Sequence, residues 1–209
     1  MRPRLGDRQL HRLRPEFLPD AFAHVRQDRR RDEAAFHSSH FVELPIAGYD
    51  FSLMRHFLFD HAESLRFEML THSSYEPLAA LARKIKGELK YHVLHADLWV
   101  TKLGHGTEES HARMQSALNE AMPYALGLFE TTPTEEQLIA DGVFAGEKAL
   151  QAKWLEVITP ILEKAGLVIP DVSTLTPVYG GRNGYHSEHL QPLITEMSEV
   201  CRLDPTATW

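Results

Sequence analysis

One cysteine, Cys201, stands in 209 residues, so no internal disulfide forms and no cysteine-built metal site can be assembled. Long apolar runs are missing too. Nothing approaches the roughly 18 apolar residues of a membrane span, and no apolar stretch follows the basic N-terminus as a signal peptide would require. Strict alternation with β-branched residues is also absent, which removes the usual signature of a half-buried sheet. Lysine is missing from residues 1–31, which hold nine arginines against four acids, while the rest of the chain holds 13 bases against 25 acids. The overall charge of −7 therefore hides a basic arm on an acidic body. A nucleic-acid arm would need a reader domain beside it, and none is visible. These absences leave an expectation of a soluble cytoplasmic protein, all-α, with no nucleic acid and no membrane among its partners. At 43% hydrophobic residues, 209 positions suffice for one core.

Residues 1–31 show only broken periodicity and read as an atypical basic arm; residues 32–209 read as one helical domain. After a short apolar link, Phe41 to Ile46, the spacing of Met54, Leu58, His61 and Leu65 predicts a helix from about Asp50 to Thr71. Pro77 suits a first turn, and Leu81, Ile85, Leu89, Ala96, Val100 and Leu103 predict a second helix of about 26 residues that stops at Gly104 and Gly106. Thr107 is a candidate N-cap for a third, with Met114, Leu118, Ala121 and Met122 inward and Pro123 expected to kink or end it. A fourth helix is expected from near Thr134 and a longer one from about Ala145 to Ala165. A loop follows from Leu167 to Gly184. The last helix is expected from about Ser187 to Arg202, with Leu190, Leu193, Ile194, Met197 and Val200 inward. Antiparallel helices joined by short turns argue for a bundle.

Several stretches are specific enough to carry a resemblance: YHVLHADLW, LGHGTEESHARMQ and GGRNGYHSEHL, in a similarity that begins near RRDEAAFHSSHFVELP and runs to the C-terminal tryptophan. They resemble the C-subunit family of the bacterial phenylacetyl-CoA ring epoxidases. The resemblance implies a ferritin-like helical bundle, a non-catalytic role beside a catalytic A subunit that holds two irons, further small and reductase subunits, and no cofactor in this chain. Members of that family carry another core helix before the point where the similarity starts. Residues 1–31 do not look like it, so the expectation is a bundle lacking its first core helix, with an apolar groove left open. A frame-altered start in a GC-rich gene would also give that lysine-free, arginine-rich composition.

A ferritin-like di-iron site needs two Glu-x-x-His pairs and two further glutamates. Glu108 to His111 is the one such pair, and it lies in a first helical turn, where acids serve the dipole. Asp60 is followed at i+3 by Glu63, and Glu88 by Tyr91; His92 is one residue out of register, about 100° around the helix. Ile85, Glu88, His92, His95 and Trp99 form one stripe that would sit near the core. His186, Glu188 and His189 crowd the start of the last helix. Asp60, Glu63, Glu88, His92, His186, Glu188 and His189 thus read either as a vestigial site whose members satisfy one another or as a metal or proton-relay cluster. An alternative to the subunit reading is a degenerate iron or manganese oxidase using Asp60, Glu88, His92 and His189; another is a helical interaction module unrelated to aromatic degradation. Tyr124, Phe129, Trp154 and Trp209 are the interface candidates, since aromatics anchor interfaces. Arg182, in GGRNG, is a candidate contact for a CoA phosphate, although no strand precedes that loop as in the usual phosphate-binding pattern.

Overall fold

A computed structural model describes residues 36–203. The basic arm and Trp209 lie outside them. Seven α-helices and no strand occur among the described residues: α1 (His40–Glu43), α2 (Tyr49–Leu70), α3 (Glu76–Gly104), α4 (Glu108–Leu126), α5 (Glu135–Ala140), α6 (Glu147–Lys164) and α7 (Leu190–Leu203). The architecture is an all-α, ferritin-like bundle. No helix among the described residues is long and apolar enough to cross a membrane.

Helix α2 lies at the centre of the bundle and packs against α3, α4 and α6, and α3 also meets α4 and α6. Its apolar residues recur at helical spacing, and Met54, Phe57, Leu58 and Ala62 are fully buried. They meet Met114, Leu118 and Met122 of α4 and Leu150, Trp154 and Ile158 of α6 in one continuous core. The Trp154 indole donates to the Leu58 carbonyl at 3.0 Å, so the one polar atom of this wholly buried ring is satisfied. Phe129 stacks against it, centroids 5.1 Å apart. Phe129 and Trp154 are therefore core residues, which corrects their assignment to an interface. Tyr124 is half-buried and packs on the same core.

Helix α4 starts as expected, with the Thr107 hydroxyl accepting from the Ser110 amide at 3.2 Å. It does not end at Pro123. It continues to Leu126, because Ala125 and Leu126 beyond the proline are buried along with Ala121 and Met122 before it, and that burial outweighs a penalty of about 3 kcal/mol. The Pro123 carbonyl then accepts from the Val178 amide at 3.0 Å, tying the long loop after α6 to this end of the bundle. Gly127 lets that loop approach, since a Cβ there would run into the Val178 carbonyl oxygen. Gly127→Ala should therefore cost about 1 to 3 kcal/mol, read as a fall of roughly 3 to 10 °C in thermal melting followed by circular dichroism.

Two faces differ from their sequence-based expectation. On α3 Ala96 and Val100 are buried as expected, with Ala79, Ala82 and Gly104 beside them, but the expected Leu81 is exposed, as are Tyr91, Leu94 and Leu98. On α7 Leu190 and Ile194 are buried, but Met197 and Val200 are each more than half exposed and Ser198 is buried in their place.

Candidate functional site

The seven polar candidates do not form one cluster. Among the described residues no group of three or more His, Cys, Asp or Glu side chains is arranged to hold a metal ion. The candidates divide among three separate settings. Glu88, Glu188 and His189 belong to none of them; the two glutamates are exposed, and the expectation that the α3 stripe lies near the core is corrected for Glu88, His92 and His95.

The first setting is the groove between α2 and α3. Asp60 lies on its floor, its side chain only 9% exposed, and His56, His92, His95, Tyr49, Tyr91, Ser52 and Leu53 line a space of about 470 Å³. Position 60 points inward because it lies three residues after Phe57 and seven after Leu53 on a buried face of α2. The nearest imidazole nitrogen, His56 Nδ1, is 3.7 Å from Asp60 Oδ2, too long for a hydrogen bond. Burial pushes the Asp60 carboxyl above the ordinary aspartate range, and the attraction of His56, His92 and His61 offsets only part of that. One helical step away His61 faces a different partner, with Nε2 2.7 Å from Asp97 Oδ1.

The second setting is built around Arg66, a residue that sequence spacing did not single out. Its Nε donates to Glu63 Oε1 at 3.0 Å and its terminal nitrogens reach the Leu128 carbonyl at 3.2 Å and Glu147 Oε1. Burial works against the charge of Arg66, but Glu63 and Glu147 outweigh it and hold its proton more tightly than in a free arginine. Arg182 comes from the GGRNG loop to the same place: its Nη1 lies 2.6 Å from Glu147 Oε1 and donates to the carbonyls of Leu128 and Glu130 at 3.1 and 2.9 Å. Glu147 Oε2 has no partner among the described residues.

Glu130 explains the glycine-rich loop. Its carboxylate accepts from the Gly180 amide at 2.8 Å, the Arg182 amide at 3.0 Å and the Asn183 side-chain amide at 2.7 Å. Converging backbone amides of this kind make an anion cradle, and here a side chain of the same chain fills it. Gly180 adopts φ +127°, a conformation that L side chains rarely reach. With its amide on Glu130 and its guanidinium on internal carbonyls, Arg182 is committed inside the fold, which corrects its reading as a CoA contact.

The third setting joins the two ends of the described chain. His186 Nδ1 lies 2.7 Å from Glu43 Oε1, Nε2 lies 2.9 Å from the Phe36 carbonyl, and both side chains of the pair are 1% exposed. Both ring nitrogens face acceptor oxygens, so the imidazole is held from both sides. The Ser187 amide and the Ser38 hydroxyl donate to the same carboxylate at 2.8 and 2.9 Å. Burial pushes the Glu43 carboxyl upward, but the bonds from Ser187, His186 and Ser38 outweigh it and leave it below the ordinary glutamate range. His186 is thus the buried partner of Glu43, and His189, half-buried, is not part of the pair.

A di-iron centre needs carboxylates and imidazoles converging on one point. These residues do not fit one, since Glu63 is bound to Arg66, His186 to Glu43, Glu88 and Glu188 face outward, and Asp60 has no imidazole within bonding distance.

Comparison with known proteins agrees with the resemblance read from the sequence. The chain is 29% identical over 179 residues to the C subunit of 1,2-phenylacetyl-CoA epoxidase from Escherichia coli (strain K12), an alignment that covers 86% of this chain and 71% of that protein. The family model described as phenylacetic acid catabolic protein matches residues 24–209, and the chain belongs to that family.

Proposed function

We propose that this chain is a non-catalytic structural subunit of a multicomponent di-iron monooxygenase that epoxidises the ring of phenylacetyl-CoA in aerobic phenylacetate degradation. In this reading it packs along the catalytic A subunit, steadies that subunit's metal-bearing bundle, and works with further small and reductase subunits in the cytoplasm. The observation that carries the non-catalytic part is the engagement of the buried acids in internal pairs. Glu63 and Glu147 neutralise Arg66, and Glu43 is bonded to His186 and to the Ser187 amide. A buried charge released from its partner costs several kcal/mol, so recruiting these carboxylates to a metal would dismantle the fold's own ion pairs. The chemistry of the ring, with dioxygen and reductase-derived electrons, would then belong to the partner.

Co-purification with the A subunit from the same genome tests this, with metal analysis of each chain alone. The expected result is a tight complex in which iron follows the A subunit and this chain alone carries well under one metal per copy. About two irons per copy in this chain alone would overturn the reading and favour a degenerate oxidase.

A further inference from the structure

The sequence holds one Asn-Gly pair, Asn183–Gly184, at the end of the GGRNG loop. An asparagine before glycine is open to attack on its side-chain amide by the next backbone nitrogen, because no side chain shields that nitrogen and the glycine backbone turns freely. Asn183 is exposed to water, and no neighbouring atom lies within 4 Å of where a Cβ on Gly184 would stand. Each group that the attack would use is nevertheless held. The Asn183 side-chain nitrogen, which would leave, donates to Glu130 Oε1 at 2.7 Å and to the Thr131 carbonyl at 3.2 Å. The Gly184 amide, which would attack, donates to the Gly181 carbonyl at 3.2 Å across the short 3-10 turn Gly181–Asn183. Glu130 fixes that turn by also accepting from the Gly180 and Arg182 amides. Asn119, the other asparagine, precedes a glutamate inside α4 and has no such neighbour.

We propose that Asn183 is a site of spontaneous deamidation that Glu130 locks, and that the reaction, once the loop opens, keeps it from closing again. Water is the one co-reactant. The Gly184 nitrogen gives up its proton and bonds to the Asn183 side-chain carbonyl carbon, the bond from that carbon to the side-chain nitrogen breaks, and ammonia leaves with a proton from solvent, forming a cyclic imide. Water then adds to either imide carbonyl and opens the ring, giving aspartate, or isoaspartate with the chain running through the side-chain carbon. Either product carries a carboxylate and no amide donor. In the closed loop it would face the Glu130 carboxylate and the Thr131 carbonyl, acceptors both, so a hydrogen bond is replaced by a repulsion between like charges. The effect extends past the loop, because the next residues hold the start of the described chain. His40 Nε2 lies 2.6 Å from the Tyr185 carbonyl and His186 is bonded to Glu43, so a loop held open at Asn183 loosens both segments.

The full chain is incubated in warm, mildly alkaline buffer, and peptide mapping by mass spectrometry follows conversion of amide to acid at Asn183 and Asn119. Folded wild type, wild type unfolded in urea and folded Glu130→Ala are compared. Acid is expected at Asn183 in all three and not at Asn119, most slowly in folded wild type. Glu130→Ala should react about tenfold faster or more, since losing bonds to a charged acceptor raises the population of the open loop and the reaction follows that population. Asn183→Asp, which carries the product's carboxylate, should exchange its Gly180 and Arg182 amides about tenfold faster than wild type. Equal rates in folded and unfolded wild type overturn the lock, and a Glu130→Ala rate no higher than wild type removes Glu130 from it. Absence of acid at Asn183 in the unfolded chain overturns the site itself, and slow exchange in Asn183→Asp would show that the loop closes over its product. If Glu130→Ala does not fold, wild type in urea below its unfolding transition takes its place: acid at Asn183 must then form faster in step with Gly180 and Arg182 exchange, and a rate indifferent to urea overturns the proposal.

Discussion

Alanine at His186 should destabilise the fold by about 3 to 5 kcal/mol, because it strands the Glu43 carboxylate in a site that water does not reach. Glu43 keeps its bonds from Ser187 and Ser38 in that variant, which holds the loss near the lower end. Urea unfolding followed by circular dichroism measures it, and a loss below about 1 kcal/mol would show that the pair is not closed in solution. Acid gives a second signature. The Glu43 carboxyl is held below its ordinary range in the fold, so its contribution is fully present above the unfolded value near 4.5 and is lost as pH falls through the lower folded value. Glu43→Gln should therefore be less stable than wild type at neutral pH and converge with it in strong acid.

Replacing Arg66 by methionine should cost about 2 to 4 kcal/mol, again because carboxylates lose their counter-charge. Glu147, 3% exposed, keeps Arg182 at 2.6 Å, whereas Glu63, 20% exposed, can turn towards water, and these two outlets set the upper bound. Arg66→Met combined with Glu147→Gln should recover part of the loss, since Glu147 then no longer stands charged beside the missing guanidinium, while Arg182, 24% exposed, can turn towards water. Coupling between the two substitutions, measured by a double-mutant cycle, is expected to exceed about 0.5 kcal/mol. Strict additivity would mean that Arg66 stabilises the fold through its packing under Phe144, 5.7 Å from the ring centroid, and not through Glu147.

Helix positions were legible in the sequence because hydrophobic period and caps are local. The first long helix was expected from Asp50 to Thr71 and spans Tyr49–Leu70, and Thr107 caps α4. α4 ends three residues beyond Pro123, at Leu126, because the proline's penalty is local while the burial that extends the helix is tertiary. On α3 the expected Ala96 and Val100 are buried and Leu103 packs on the core, but the expected Leu81 is exposed, because the core takes Ala79 and Ala82 there, which let α2 come close. Of the candidate residues, Asp60 was legible as an inward carboxylate on α2. Arg66, Glu147, Glu130 and Glu43 were not, because each acquires its role from a partner at least 50 positions away.

The bond between Glu43 and His186 also bears on the order in which the chain opens and closes. It joins residues 143 positions apart, whereas α2 and α3 are neighbours in sequence and form the most extensive helix pair. Closing so long a span is an entropic expense that a folding chain meets only after its shorter contacts exist. The bundle of α2, α3, α4 and α6 should accordingly gain amide-exchange protection first, and the segments around residues 36–44 and 180–190 should open together as one cooperative unit below the global limit. Amides of Phe41 and Ser187, distant in sequence, would then exchange with the same opening free energy, and one substitution at His186 would release both.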